Sequence, residues 1–554
     1  MSKQNIDEMS NDELDDLVLT SDQDRELEVA PPGQPMPNVR RFLAAKFHHQ
    51  DHLLLVHQGG QFYEWNGRCW PAIEDKILHS RLYRWFETRW YIDQSKKVPT
   101  QKPFAPTLRK VADLVDATKA ITIIETSIPT PSWFGASDVP ANELIAAENG
   151  LIHWPTRKLR PHTPHFYVHH AVPFAFAPNA PSPARWLAFL RELWGDDDES
   201  INCLQEMFGY LLSGDTSQQK MFLLVGPKRG GKGTIGRVLT RLLGRHNVAG
   251  PTLSTLGTNF GLQDLIAKPV AIVSDARLGA KSDHSLITER LLSVSGEDLQ
   301  NVDRKFQSPW SGQLPTRFVI LTNELPRLSD SSGALASRFI VLMLERSFYN
   351  KENPKLTDEL SEEIAGIFNW ALDGLHQLRA RGRFQPPTTS KEAILALEDL
   401  ASPVGAFMRE RCRIGAQETV EAGLMYQTYR TWCEEHGRHA VNQQVFGRDL
   451  RAVRPEVRVR QLGSDRHRHY AGIGLRTADN APAPQWENTR ESRESASDNS
   501  TSSRDSRVNM HCSARTCAHC GMAETEGSPL LTVAVNGTDA PVHRGCMAGW
   551  RAAQ

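Results

Sequence analysis

The sequence contains no run of 18 apolar residues and no N-terminal stretch in which basic residues precede an apolar segment. A membrane-spanning helix needs about 20 mostly apolar residues, and a secretory signal needs a basic start followed by an apolar core. We therefore expect a protein that is neither embedded in a membrane nor secreted. An excess of charge is also lacking, because the net charge is −1. Only local charge can therefore indicate a nucleic-acid surface.

Cysteine is scarce until the C-terminal end of the chain. The sequence has eight cysteines, and four of them lie within its final segment, from Cys512 onward. Two ligand pairs there have the spacing of a tetrahedral Zn²⁺ site, formed by Cys517, Cys520, His543 and Cys546. Cys512 and His511 are spare candidates. So short a module cannot bury a sufficient core without the metal.

A glycine-rich loop lies between an apolar run and an amphipathic helical pattern. Residues 221–225 predict a buried strand, and residues 232–243 carry apolar side chains on one side of a helix. The loop has the composition of a phosphate cradle, in which backbone N–H groups and a lysine contact the phosphates of ATP. Its members are Gly226, Pro227, Lys228, Arg229, Gly230, Gly231, Lys232, Gly233 and Thr234. Gly233 stands where a Mg²⁺-binding hydroxyl normally follows the lysine, so the hydroxyl of Thr234 comes one place later.

Polar residues follow or precede the next predicted strands. Asp275 ends an apolar strand, where a carboxylate holds Mg²⁺ or activates the attacking water. Either Ser274 takes the metal-side position and Asp275 is the base, or Asp275 has both roles. Asn323 ends a third strand and can bind the attacking water. Arg338 precedes a fourth strand, where ring ATPases have an arginine that stabilises the γ-phosphate in the neighbouring subunit's site. The structural alternatives are a helix-capping Asp, a turn Asn and an ordinary strand-start Arg.

Arg304 and Lys305 stand between two short strand-like pieces, at a predicted hairpin tip. Two adjacent basic residues suit contact with a DNA phosphate backbone. A solvated basic turn is the alternative.

In order and spacing, five motifs resemble those of superfamily 3 helicases: GPKRGGKGT, IVSDARL, VDRKF, RFVILTNELPRL and ASRFIVL. The helicase portion of phage and plasmid primase-helicases of the satellite-phage type is the closer match, over about residues 140–476. The resemblance implies a hexameric ring of AAA+ type that translocates 3′ to 5′ on single-stranded DNA in the cytoplasm of a bacterial host cell. It implies ATPase roles for Lys232, Asp275, Asn323 and Arg338, and a channel-lining hairpin with Arg304 and Lys305. ATP and Mg²⁺ are the expected cofactors, and a primase or polymerase in trans is a further expected partner.

Primer synthesis by this chain is not expected. That reaction needs clustered metal-binding carboxylates, and outside the acidic tail the dense acidic run before the helicase motifs is Asp196 to Glu199. The run lies between two helical patterns and predicts a helix start.

The region before the second polar tail predicts a winged helix, with three helical patterns followed by two strands. Asn442 is the predicted cap of the third helix. Between Arg430 and Arg476, ten Arg stand against five Asp or Glu, which indicates binding of double-stranded DNA. The candidate phosphate contacts are Arg448, Arg451, Arg454, Arg466 and Arg468. A packing domain with a solvated basic face is the alternative.

The predicted architecture is multidomain α/β, with an AAA+ type P-loop ATPase core, a helical N-terminal extension, a C-terminal winged helix and a small zinc module. The predicted segments are a disordered acidic tail (1–38), a mixed α/β domain ending in helices (39–215), the ATPase (216–382), the winged helix (391–476), a disordered linker (477–510) and the zinc module (511–554).

Three functions stay open at this level. The leading one is an ATP-dependent, ring-forming DNA helicase of phage or plasmid replication. The second is a DNA-binding initiator whose ATPase drives assembly without processive unwinding. The third is a degraded ATPase that acts as a DNA-binding scaffold. Gly233 and the single strand-end carboxylate favour the third slightly, whereas the intact Lys232, Asp275, Asn323 and Arg338 argue against it.

Overall fold

The computed structural model describes residues 28–50, 52–95, 97–276, 282–305, 307–326, 328, 330, 333–462, 467–476, 530–535 and 538–543. The chain divides into two compact units, residues 1–476 and 477–554. The first unit mixes helices with several small sheets and one larger sheet. Within the described residues, no helix combines the length and the apolar character that a membrane crossing requires.

The N-terminal part of the first unit is built around three helices, α1 (Pro35–Lys46), α2 (Asp75–Glu87) and α3 (Leu108–Thr122). Aromatic side chains fill the space between them, and the rings of Phe42 and Trp85 lie 5.5 Å apart edge to face. Its short strands are β1 (His48–His49), β2 (His52–Leu53), β3 (Leu55–Gln58), β4 (Gln61–Glu64), β5 (Ala72–Ile73), β6 (Trp90–Asp93), β7 (Thr100–Pro103), β8 (Ser132–Trp133), β9 (Leu144–Ala147), β10 (Gly150–His153), β11 (Lys158–Arg160) and β12 (Phe166–Tyr167).

Strands β3 and β4 form a hairpin whose turn is Gly59–Gly60. The strands pair antiparallel, with Gln58 opposite Gln61. Both glycines have positive φ angles, 56° and 80°. A two-residue hairpin turn of type I′ needs positive φ at both positions, which glycine adopts without steric cost.

The predicted N-terminal disorder does not reach residue 38. Val29 is buried and its N–H donates to the carbonyl of Trp90 at 2.9 Å. Asn38 is fully buried, and its side-chain amide bonds both the N–H and the carbonyl of Ala30. Pro35 lies in the first turn of α1, where its fixed φ suits a helix start. The prediction is therefore wrong for residues 28–38, and residues 1–27 lie outside the described structure.

The central part of the unit contains a five-stranded parallel sheet with helices on both faces. Its strands are β13 (Met221–Val225), β14 (Val248–Ala249), β15 (Val270–Val273), β18 (Arg317–Thr322) and β19 (Phe339–Met343), in the order β14-β15-β18-β13-β19. A separate two-stranded hairpin has the strands β16 (Leu299–Val302) and β17 (Trp310–Gln313). The helices are α4 (Ala184–Trp194), α5 (Asp198–Leu212), α6 (Lys232–Leu243), α7 (Leu253–Leu256), α8 (His284–Ser295), α9 (Ala334–Arg338), α10 (Leu356–Glu362), α11 (Ile364–Arg381) and α12 (Lys391–Ala401).

Alternate residues of each strand enter different cores because successive side chains of a strand point to opposite faces. Phe222 and Leu224 of β13 pack with α4, α5, α6 and α11. Leu223 packs on the other face with α7, α8, α9 and α12. The apolar strand patterns of the sequence therefore predict strands that are buried on both faces, and this is confirmed for β13, β15, β18 and β19. Helices α4 and α5 precede the predicted ATPase boundary and yet belong to its core.

The buried side chain of Arg317 joins the start of β18 to the end of α5. Its Nη1 donates to the carbonyls of Tyr210 at 2.9 Å and Asp215 at 3.0 Å, and also to the carbonyl of Ser213. Its Nε donates to the carbonyl of Pro269 at 3.2 Å. A buried charge is tolerated only where such acceptors replace water.

Replacing Arg317 with methionine is expected to lower the free energy of unfolding by about 3 kcal/mol, because several buried carbonyls lose their donor. Urea denaturation followed by circular dichroism measures the change. Arg191→Met is the matched control, since Arg191 is half exposed and its ion pair with Asp198 lies at the surface; we expect it to cost less than about 1 kcal/mol. Equal midpoints for the two variants would refute a structural role of Arg317.

The C-terminal part contains three helices and a three-stranded antiparallel sheet. The elements are α13 (Pro403–Arg411), β20 (Cys412–Glu421), α14 (Ala422–Glu435), α15 (Gln443–Val453), β21 (Arg458–Leu462) and β22 (His467–Leu475), with the sheet order β20-β22-β21. The Oδ1 of Asn442 accepts from the N–H of Val445 at 2.9 Å, so the predicted cap of α15 is confirmed. Strand β20 was not predicted, because its sequence lacks a clear alternation of apolar residues.

Helix α12 connects this part to the five-stranded sheet. Ala393 and Leu397 pack in the core beneath the sheet, although the sequence places α12 in the C-terminal domain. Only Ser402 separates α12 from α13, and its hydroxyl caps α13 through the N–H of Gly405. Arg409 of α13 forms ion pairs with Glu398 and Asp399 of α12. The two helices are therefore joined by a single residue and by ion pairs.

The second unit is described only at β23 (Leu530–Val535) and β24 (Thr538–His543), which pair antiparallel.

Candidate nucleotide site and nucleic-acid interface

The parallel sheet brings three predicted site segments to one edge. The glycine-rich loop follows β13, Asn323 follows β18, and Asp275 follows β15 two residues after its end. Strand β18 lies between the other two, and neighbouring strands are about 4.8 Å apart. Because parallel strands end at the same edge, the three segments lie side by side, about 10 Å across.

The loop needs glycine for space as well as for conformation. Gly231 precedes α6 with a φ of 87°, and a Cβ there would lie 2.7 Å from Cδ2 of Leu193. A Cβ on Gly226 would lie 2.4 Å from the carbonyl oxygen of Leu344. The chain is thus fixed closely against α4 and the end of β19, with α6 starting at Lys232.

Lys232 is buried, and its ammonium group uses all three of its hydrogens within the protein. Its Nζ donates to the carbonyls of Gly226 and Pro227, each at 2.8 Å, and to Oδ1 of Asn323 at 3.1 Å. Burial lowers the pKa of Lys232, which is the direction expected for an amine away from water and without an opposite charge. A bound anion would stabilise the charged form and would exchange with these oxygens.

The loop borders a cavity of about 810 Å³. This volume lies in the range of ligand pockets. Basic side chains dominate its charged lining, which consists of Arg185, Arg229, Lys232, Arg237 and Lys351 together with Glu192 and Glu352. Phe189, Phe348, Pro354 and Leu356 give the cavity an apolar part. A ligand that is anionic at one end and apolar at the other therefore fits this cavity, as a nucleoside triphosphate does.

The hydroxyl of Thr234 lines the same cavity but accepts from Nη2 of Arg237 at 3.1 Å. Successive residues of an α-helix are rotated by about 100°. The hydroxyl therefore projects in a different direction from one placed at Gly233. Asp275 is exposed at the sheet edge. Thr234 and Asp275 are the residues that would hold Mg²⁺.

Arg338 lies at the opposite edge of the sheet from the loop. It ends α9 directly before β19, and β19 pairs with β13 so that Phe339 stands opposite Met221. The length of β13, five residues, therefore separates Arg338 from the glycine-rich loop, which is about 16 Å along the strand direction. Its Nη1 is buried without a hydrogen-bond partner in the described structure. Arg338 therefore cannot serve the phosphate loop of its own chain.

Sequence reasoning missed the cavity wall that comes from other elements. Arg185 and Phe189 of α4 and the segment 348–356 line the cavity, and no motif marks them. Arg237 is different, because it lies three residues after Thr234 on α6, where a helix brings side chains together. It also donates to the Oγ1 of Thr357 at 2.9 Å, which joins α6 to α10.

Arg304 and Lys305 lie in the connection between β16 and β17, as the predicted hairpin tip requires. Arg304 is half-buried, and its Nη2 donates to the carbonyl of Gly60 at 3.0 Å. Lys305 is exposed, and its backbone N–H donates to Oε1 of Gln263 at 3.2 Å. The two adjacent basic residues therefore have different surroundings.

The candidate arginines of the C-terminal part lie on α15, after it, and on β22. Arg448 and Arg451 are exposed one turn apart on α15, and Nε of Arg451 donates to the carbonyl of Gly447 at 2.9 Å. Arg454 pairs with Glu456 at 3.6 Å, and Arg468 is exposed on β22. Arg466 lies outside the described residues, as do Cys517, Cys520 and Cys546. His543 ends β24, and nothing in the described structure places its side chain.

Three family models match separate parts of the chain. Residues 40–195 match a family described as D5 N terminal like. Residues 224–338 match a family of unknown function, DUF5906, and this range contains Lys232, Asp275, Asn323 and Arg338. Residues 403–479 match the RFX DNA-binding domain, from α13 to just beyond β22.

Solved structures similar to the chain include the A form apo structure of the NrS-1 C terminal region, at 12% identity and a TM-score of 0.43. It covers 79% of this chain and 99% of that one. A further apo structure of the NrS-1 C terminal region has 12% identity and a TM-score of 0.42, and covers 80% of this chain and 99% of that one.

Proposed function

We propose that this protein is an ATP-dependent DNA helicase of the ring-forming superfamily 3 type that acts in phage or plasmid DNA replication. The observation that carries the proposal is the contact between Lys232 Nζ and Asn323 Oδ1, beside the basic cavity that Lys232 lines. It brings the lysine of the glycine-rich loop to the polar end of a neighbouring parallel strand. This is the arrangement needed to bind a γ-phosphate and the water that attacks it.

The residues of the cavity, together with the polar residues after β15 and β18, fit ATP with Mg²⁺. Lys232 would contact the phosphates, and Asn323 would orient the attacking water. Asp275 would hold the metal or accept the proton of that water. Bound Mg²⁺ would neutralise charge on the phosphates, and the apolar wall at Phe189 and Phe348 would contact the base.

The match to a D5 N terminal like segment supports the assignment to a phage primase-helicase type of replication protein. Primer synthesis is not part of the proposal, and the expectation that this chain makes no primers stays a prediction. A primase or polymerase acting in trans remains the proposed partner.

A ring of identical chains is proposed because Arg338 is too far from its own loop. In such a ring, the arginine at one sheet edge would reach the phosphates bound by the neighbouring copy. Nη1 of Arg338 has no acceptor within the described structure, so a change in the position of this side chain on assembly would break no hydrogen bond at that nitrogen.

ATP hydrolysis with and without single-stranded DNA, followed by unwinding of a forked duplex, tests the proposal. We expect hydrolysis to rise with DNA and the fork to be unwound only with hydrolysable ATP. DNA-stimulated hydrolysis without unwinding would favour the second candidate, an initiator whose ATPase drives assembly. The displaced hydroxyl of Thr234 instead favours a degraded ATPase that acts as a DNA-binding scaffold. Absence of hydrolysis would refute both the helicase and the initiator.

We also propose that the C-terminal part is a winged helix that binds duplex DNA, and the match to the RFX DNA-binding domain supports it. Replacing Arg448 and Arg451 together with alanine is expected to weaken duplex binding and to reduce the salt slope by about 2, because each phosphate contact contributes about 0.9. Fluorescence anisotropy at several salt concentrations measures both.

The matched control replaces Arg413 and Arg430 with alanine, which removes the same charge from exposed positions on β20 and α14. Equal slopes in the two double variants would assign the effect to net charge and would refute a contact surface on α15. The zinc module at Cys517, Cys520, His543 and Cys546 stays a proposal that rests on sequence spacing alone.

A further inference from the structure

The hairpin of β16 and β17 contacts the Gly59–Gly60 turn through two of its side chains. A Cβ on Gly59 would lie 2.6 Å from Nε1 of Trp310, and a Cβ on Gly60 would lie 2.8 Å from Nη2 of Arg304. Both distances are below those that Cβ atoms adopt. Gly59 is therefore needed for the fit against the ring of Trp310, whereas a side chain at position 60 would shift the end of the Arg304 side chain away from the turn. Both positions also need glycine for their positive φ angles.

Arg304 uses every nitrogen of its guanidinium group in contacts within the protein. Its Nε donates to the carbonyl of Ser308 at 2.9 Å, which closes the tip of the hairpin. Its Nη2 and Nη1 donate to the carbonyl of Gly60 at 3.0 Å and to Oε1 of Gln61 at 3.4 Å. These bonds use three of the five N–H groups of the guanidinium and fix its orientation toward the Gly59–Gly60 turn. The geometry is that of an anchor rather than of an open DNA contact.

The hairpin depends on such an anchor because it is a two-stranded sheet by itself. A two-stranded hairpin is only marginally stable in water without packing against another element. Trp310 is buried, and its indole lies over Gly59, so the turn of the N-terminal part supplies part of the packing that the hairpin needs.

We propose that the Gly59–Gly60 turn is the docking seat of the β16–β17 hairpin, and that Arg304 is a positioning residue that holds the exposed tip at Lys305 in place for DNA. The DNA role of the tip rests on the proposed function. The docking itself does not, because it follows from contacts within the chain.

Gly60→Ala in the full-length chain tests the seat, with Gly67→Ala as its matched control. Both glycines have positive φ angles, 80° and 94°, so both variants introduce backbone strain. A Cβ on Gly67 has no heavy atom within 4 Å, whereas one on Gly60 meets Arg304. We expect amide hydrogen exchange in residues 299–302 and 310–313 to become about tenfold faster in Gly60→Ala only. Equal exchange in the two variants would overturn the proposal.

DNA-stimulated ATP hydrolysis separates positioning from direct charge contact. We expect Gly60→Ala to keep its basal hydrolysis and to lose stimulation by about fivefold. Arg304→Lys keeps the charge but loses the planar guanidinium group and its separate hydrogen-bond donors. We therefore expect this variant to lose DNA stimulation in the same way. Full stimulation in both variants would overturn the positioning role. If the wild type itself shows no stimulation, the DNA role fails, and the exchange result still decides whether the seat exists.

Discussion

Replacing Lys232 with alanine is expected to lower the rate of ATP hydrolysis by at least about 100-fold. Lys232 is buried and lines the basic cavity. Its Nζ donates hydrogen bonds to the loop carbonyls and to Asn323. In phosphoryl transfer, the negative charge of the transferring group is stabilised by such fixed cations. Alanine removes this charge and leaves the cavity otherwise open. Steady-state phosphate release, with and without single-stranded DNA, measures the effect.

Lys391→Ala is the control for this variant, because Lys391 is exposed at the first position of α12. We expect it to hydrolyse ATP like the wild type. Thermal unfolding of both variants should match the wild type closely, which would exclude a loss of fold. If Lys232→Ala retains hydrolysis, the cavity at the loop is not the active site.

Replacing Arg338 with alanine is expected to abolish DNA-stimulated hydrolysis, with a loss of about 1,000-fold, because an arginine supplied across an interface stabilises the transition state. The residue lies at the sheet edge remote from its own loop. The loss should therefore appear in the rate of hydrolysis and not in ATP binding by the same chain. Equilibrium binding of a fluorescent ATP analogue, measured beside hydrolysis, separates the two.

Coassembly of the Arg338→Ala and Lys232→Ala variants tests whether Arg338 acts in the neighbouring subunit's site. In a randomly mixed ring, about one site in four combines an intact lysine with an intact arginine from the neighbour. We expect a corresponding part of the activity to return when the two inactive variants are coexpressed. Rings that contain both variants and stay inactive would refute a role for Arg338 across the interface.

The sequence predicts four of the five strands of the central sheet, because each of the four is a short apolar run, whereas the two-residue β14 leaves no such pattern. Residues 221–225 and the helix after them follow from local patterns alone. The contact between Lys232 and Asn323 follows less directly. It requires β13 and β18 to be neighbours, and the chain separates them by the whole of β14 to β17.

Other features depend on tertiary packing that no local pattern encodes. Arg304 appears in the sequence as one of two adjacent basic residues, and only the fold brings it to Gly60. Arg185 reaches the cavity from α4, far from the glycine-rich loop in the chain. Strand β20 lacks alternation and is held by its pairing with β22.

The single-residue junction between α12 and α13 has a mechanical consequence. Helix α12 is embedded in the core of the sheet, and its ion pairs with Arg409 resist bending at Ser402. A force on the C-terminal part is therefore passed to the central sheet through this short junction, because no long linker lies between α12 and α13. If α15 binds duplex DNA as proposed, a movement of that duplex would be passed through α13 and α12 to the sheet that carries the glycine-rich loop.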